Sequence, residues 1–150
     1  MSAAEQQLPR WLRPASRFNR LLLRLGLPIG TQHVITVVGR KSGKPRSTPV
    51  SVVTVAGERF VVSGRGVVWV ENARAAGWAD LERSRRRERV RLIEVPVGER
   101  GPVLRAFWQQ VPHGRPFIAR ILGLAPDADA AAFEAAAPVC PVFRLEPLPS

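Results

Sequence analysis

At 150 residues, the chain has room for a single domain with its own core, and 45% hydrophobic with 23% charged residues is a globular composition. The charge balance is unusual: 23 Lys and Arg against 12 Asp and Glu, net +11, which favours an anionic lipid, a polyanion or an acidic cofactor. One cysteine excludes an internal disulfide, two histidines leave no structural zinc set, and no apolar run approaches the ~18 residues of a spanning helix.

The first eight residues carry no pattern. From there, cations fall at Arg10, Arg13, Arg17, Arg20 and Arg24, and apolar residues at Trp11, Ala15, Phe18, Leu22 and Leu25. Spacings of three and four place two separate stripes on a helix predicted over about 10–25. Pro14 opens the main helix as its first residue, and Gly26 with Pro28 ends it. Such a helix either lids one mouth of the fold or lies on anionic lipid. Arginine interrupts every apolar stretch here, so no signal peptide is expected and the predicted location is the cytoplasm.

Two β-branched runs, 34–38 and 50–55, predict strands over about 33–39 and 46–55. Between them lies Gly39-Arg40-Lys41-Ser42-Gly43-Lys44-Pro45-Arg46-Ser47-Thr48-Pro49. Gly39 and Gly43 permit left-handed backbone, and Pro45 keeps the loop from closing into helix. Four cations, closely spaced N–H groups and the Ser42 and Thr48 hydroxyls suit a phosphate or carboxylate held at the end of a sheet. A solvated basic turn has the same composition. A P-loop is excluded: three residues separate Gly39 from Gly43 where four are needed, and Pro45 replaces the Mg²⁺-binding Ser or Thr.

A tight turn at 56–58 leads to a strand over 59–63. Ser63-Gly64-Arg65-Gly66 then interrupts it, and its glycines let another surface approach the backbone. A short helix over 68–76 ends at Gly77. Strands over 78–83 and 89–96 form a hairpin that turns through Ser84-Arg85-Arg86. It carries six arginines between Arg83 and Arg91, offset by Glu82 and Glu88. No aromatic residue is interleaved for base stacking, which favours a solvated tip over a nucleic-acid contact. Helices follow over 98–110, 116–122 and 127–137, the last with Asp127 and Asp129 near its N-terminus. The final strand, 139–145, contains Pro141 and is expected at a sheet edge, with Cys140 partly buried. These elements predict an α+β domain: a mostly antiparallel barrel with packed helices, one unit over 1–150.

The run from Ile35 to Pro49 resembles the signature of the deazaflavin-dependent nitroreductase family, whose members use reduced coenzyme F420 on a split β-barrel. A second landmark of that family is a small-residue loop followed by a helix with Trp and Asn. Here it is Ser63-Gly64-Arg65-Gly66-Val67-Val68-Trp69-Val70-Glu71-Asn72-Ala73-Arg74-Ala75-Ala76-Gly77. Weaker similarity runs on to 141–145, so the resemblance spans roughly 15–147. It implies that Arg40, Lys41, Ser42 and Lys44 hold the phosphate and glutamate tail of the cofactor, with Pro45, Arg46 and Thr48 lining the tail side. Ser63, Gly64, Arg65 and Gly66 would run along the deazaflavin and its ribityl chain. Trp69 would pack against the ring region, with plain core packing as the alternative, and Asn72 would hydrogen-bond the loop or the cofactor. FMN is the alternative cofactor.

No Ser-His-Asp set, Cys-His set or pair of catalytic carboxylates is recognisable, and Glu71 is accounted for by pairing with Arg74. No side chain is therefore expected to be catalytic and no metal is expected. The hydride chemistry that the resemblance implies, toward a quinone or nitroaromatic acceptor, belongs to the cofactor. The chain has no tyrosine, whereas nitroreducing members of that family use tyrosines near the acceptor. Its acceptor wall would have to come from Trp108, Phe117, Ile118 or the helix of Trp11 and Phe18. Contact of that helix with the anionic inner membrane face is a further expectation. A non-catalytic module for lipid, fatty acid or nucleic acid on the same fold is the alternative function.

Overall fold

The computed structural model describes residues 32–63 and 67–148. The helix expected over 10–25 lies outside the described residues, as do Gly64, Arg65 and Gly66. Six strands form a closed antiparallel barrel in the order β1-β2-β3-β6-β5-β4: β1 Gln32–Val38, β2 Pro45–Val55, β3 Glu58–Val62, β4 Trp78–Arg83, β5 Arg86–Glu94 and β6 Val142–Pro147. Among the described residues the α-helices are, in chain order, α1 Val68–Ala76 between β3 and β4, and α2 Gly101–Gln110, α3 Arg115–Ile121 and α4 Ala130–Ala135 between β5 and β6.

The closing strand corrects one expectation. Pro141 precedes β6 instead of interrupting it, and β6 pairs with both β3 and β5. Closure leaves β6 with partners on both sides, so it is not an edge strand. Cys140 is fully buried, and burial pushes its thiol up to about 12 while Sγ–H donates to the Ser63 carbonyl at 3.1 Å. The helix expected over 127–137 is shorter because Asp129 is its cap: the Asp129 carboxylate accepts the Ala132 N–H at 2.9 Å. The expected 98–110 helix likewise divides into a 3₁₀ turn, Val97–Glu99, and α2. Strand β5 starts earlier than expected, since a two-residue turn at Ser84 and Arg85 suffices to reverse the chain.

Because every neighbouring pair is antiparallel, the barrel has two distinct ends. One, the loop end, carries the 39–44 loop, the exits of β3 and β5, and the starts of β4 and β6. The other, the tip end, carries the start of β1, the 56–57 turn, the 84–85 turn and the close of β6. The alternation of the strands separates two cores. Inside the barrel, Ile35, Val37, Val52, Val61, Leu81, Val90 and Phe143 meet Trp69, Val70 and Ala73 of α1, which stoppers the loop end. Outside it, Val53, Phe60, Val62 and Val142 pack against α2, α3 and α4, with Phe107 and Phe133 stacked at 6.1 Å. Truncating either phenylalanine to Ala would cost about 3–5 kcal/mol.

Helix α2 connects the two ends. At its start, buried Arg100 donates to the Val95, Ala137 and Cys140 carbonyls at 2.7, 3.0 and 3.2 Å. At its close, Gln110 pairs with both backbone groups of Thr54, accepting its N–H at 3.0 Å and donating to its carbonyl at 2.8 Å.

Candidate cofactor site

The basic loop is locked by its own backbone. Gly39 N–H donates to the Lys44 carbonyl and Gly43 N–H to the Gly39 carbonyl, both at 2.8 Å, and Gly43 adopts φ 68°. The Lys44 N–H is taken by Ser42 Oγ at 3.2 Å. A Cβ at Gly39 would stand 2.6 Å from Ser42 Oγ, so a side chain there would displace the hydroxyl that takes the Lys44 N–H. With these N–H groups already used within the loop, its donors to an outside anion are chiefly side chains.

A second lock comes from α1. Asn72, 3% exposed, accepts both the Arg40 N–H at 3.1 Å and Arg40 Nη1–H at 2.9 Å on one oxygen. Both partners are donors, so the atom facing them must be the amide oxygen. Helix α1 is tied down in turn by Arg74, which donates to both oxygens of Glu94 at 2.9 and 2.8 Å and to Glu71 at 2.9 Å. Arg74 holds the Glu94 carboxyl below its ordinary value, and Glu94 raises Arg74 in return. Glu94 also accepts from Arg100 at 3.4 Å. The loop is thus tied to α1 through the Asn72 amide, and α1 to the frame of the barrel through Arg74, Glu94 and Arg100.

Among the described residues, Arg40, Lys41, Lys44 and Arg46 have no carboxylate partner, although the arginines of the surrounding strands are largely paired. They are exposed side by side at the loop end. Four cations without internal counter-ions, on a rigid loop, match the phosphate and carboxylates of an acidic cofactor.

The remaining sequence-predicted residues are distributed as follows. Pro45 opens β2. Thr48 is half-buried further along β2, opposite Ile35 on the barrel-facing side. Ser63 is buried, its N–H donating to the Pro141 carbonyl at 3.0 Å. Trp69 is 7% exposed and packs on Phe143 with ring centroids 5.7 Å apart, which is the core-packing alternative. Trp108 and Ile118 belong to the second core. The Trp108 indole N–H donates to the Ala128 carbonyl at 2.9 Å, and the Arg115 guanidinium lies 3.8 Å from its ring centre. Phe117 is exposed on α3. The Arg74–Glu94 tie was not legible in the sequence; the only local signal was the i,i+3 spacing of Glu71 and Arg74.

Comparison with known proteins agrees with this geometry. Residues 16–116 match the family model of the F420H(2)-dependent quinone reductases. The chain belongs to that family, and coenzyme F420 is its cofactor. No curated protein matches it by sequence. Among solved structures, it is similar to an F420-H2 dependent reductase (FDR-A), at 20% identity over 77% of this chain and 94% of that one, TM-score 0.55. It is also similar to a pyridoxamine 5'-phosphate oxidase-related, FMN-binding protein from Nostoc punctiforme, at 15% identity over 93% and 81%, TM-score 0.57. A conserved hypothetical protein from Mycobacterium tuberculosis superposes at 10% identity over 89% and 80%, also with TM-score 0.57. At these identities the structures establish the shared barrel fold and nothing finer.

Proposed function

We propose that this F420-dependent reductase passes the hydride to a quinone. The observation that carries the cofactor half is the locked loop of unpaired cations, tied to α1 through Asn72. In this reading Arg40, Lys41, Ser42, Lys44 and Arg46 hold the phosphate and acidic tail, and Pro45 and Thr48 shape the strand beneath. Ser63 to Gly66 run along the ring system. Asn72 acts through Arg40, and Trp69 supports α1 from the core. Bound, the reduced deazaflavin supplies the hydride. The chain's own residues bind and orient, and no side chain is assigned a proton-transfer step.

The quinone assignment is supported by the name of the matching family and by the absence of tyrosine, which separates this chain from the nitroreducing resemblance. Contact of the 10–25 stripe with an anionic membrane is part of the same proposal and rests on spacing alone. The single-domain reading of 1–150 likewise remains a proposal.

The test has two stages. Titration of the protein with oxidised coenzyme F420, followed by fluorescence, should saturate by about tens of micromolar. Oxidation of the reduced cofactor is then followed with a benzoquinone and with a nitroimidazole. Faster turnover with the quinone supports the assignment. Turnover of only the nitro compound would reverse the acceptor, and absence of saturable binding would remove the cofactor site.

A further inference from the structure

Where β3 and β6 meet the loop end, their ladder lacks one hydrogen bond. Val62 stands opposite Val142, which brings Ser63 opposite Pro141. The Ser63 N–H donates to the Pro141 carbonyl at 3.0 Å, but proline has no N–H to return. The Ser63 carbonyl is thereby left without its ladder donor, on a residue only 4% exposed. The Cys140 thiol supplies the missing bond: its Sγ–H reaches that carbonyl at 3.1 Å. A buried carbonyl requires a partner, and a thiol is a weak donor that suffices where nothing else can reach. Burial also keeps this thiol protonated at any working pH, so it remains a donor.

Cys140 is held in turn. It follows the 3₁₀ turn Ala137–Val139, and Arg100 spans that turn by donating to the Ala137 and Cys140 carbonyls. The same guanidinium donates to the Val95 carbonyl just past the end of β5, and to Glu94. Glu94 takes Arg74 of α1, and Asn72, two residues earlier on that helix, takes Arg40. One continuous line of contacts thus joins Ser63 to Arg40. Burying a guanidinium carries a desolvation cost that a packed apolar side chain would avoid. What the arginine adds is direction: one planar fork fixes three carbonyls from two segments at once.

We infer that Arg100 and Cys140 are positioning residues for the hydride-transfer step: they fix Ser63, on the ring side of the cofactor, relative to Arg40 on its tail side. The inference rests on the cofactor reading above. Holding the tail needs only the cationic loop. Hydride transfer needs the reacting atoms within about 3–3.5 Å of each other, so a displaced Ser63 changes the rate more than the affinity.

The experiment compares wild type with Cys140→Ala, which removes the donor, and Cys140→Ser, which keeps one. A double variant, Cys140→Ala with Pro141→Ala, restores a backbone N–H opposite Ser63. Phe133→Leu, in the second core, is the control for lost stability and is matched through Tm. Each is titrated with oxidised F420, and the circular dichroism that the bound ring acquires is recorded at saturation. Single-turnover oxidation of the reduced cofactor is then followed with whichever of benzoquinone and nitroimidazole the wild type reduces. Cys140→Ala should bind within about twofold of wild type, show an altered dichroic band and transfer hydride about tenfold more slowly. Cys140→Ser and the double variant should both recover the band and most of the rate, and Phe133→Leu should keep both. An unchanged band in saturated Cys140→Ala would overturn the inference. Equal changes in Cys140→Ala and Phe133→Leu would overturn it as well, since stability alone would then explain them. Absence of saturable binding by the wild type would remove the cofactor reading and this inference together.

Discussion

The 39–46 loop and the 83–87 tip are both arginine-rich reversals between antiparallel strands, yet the molecule treats them oppositely. The loop is bonded through its glycines, through Ser42 and through Asn72 of a buried helix. The tip is a two-residue turn whose arginines meet no carboxylate among the described residues. Charge is common to both, and preorganisation is present in only one. A rigid cationic loop can recognise one phosphate in one orientation, because little side-chain and backbone freedom remains to be lost on binding. A free cationic tip carries charge without a fixed geometry. A surplus of arginine therefore marks where anions go, but only the locking bonds mark where a particular anion is held.

Three changes break or sharpen this contrast. The largest effect is expected from Arg100→Met, which removes the donor of three buried carbonyls under the loop end. It should destabilise the fold by about 3 kcal/mol, a fall of roughly 6–12 °C in Tm. Hydrogen exchange should rise first at 93–100 and 137–143 and last in the 83–91 hairpin, and equal loosening of both ends would show that the loop end has no separate frame.

Next comes Asn72→Ala, which frees Arg40 and strands its N–H. It should weaken coenzyme F420 about tenfold, on the scale of one charge-assisted hydrogen bond. Affinity within twofold of wild type would mean that the lock is incidental.

The smallest effect concerns Glu94. Its carboxyl is held below the ordinary 4.5 by the hydrogen bonds from Arg74. The stabilisation it brings is thus present above the ordinary value and is lost as pH falls through the lowered one. Glu94→Gln should be less stable than wild type at neutral pH and should flatten the acid limb of a denaturation series. A parallel acid limb in both proteins would exclude Glu94 from the tie that holds α1.

Much of this was determined by local sequence. β-branched runs, glycines and prolines placed β1, β2, β4 and α1 within a residue of their positions, since strand period and left-handed stops act over a few neighbours. The same locality made the loop cations stand out, while Asn72 came from the family resemblance alone. Tertiary structure decided the rest. It closed the barrel on β6, which Pro141 alone would have assigned to an edge, because pairing with β3 and β5 depends on residues far away in the chain, such as Val61 opposite Phe143 and Leu92 opposite Leu145. It turned Trp69 into the core against Phe143, and it joined Arg74 to Glu94 across twenty residues. It also sorted one uniform excess of positive charge into paired arginines on the barrel wall and unpaired ones at its two ends. That sorting depends on which carboxylates the register brings within about 4 Å, a through-space distance that composition and spacing do not encode.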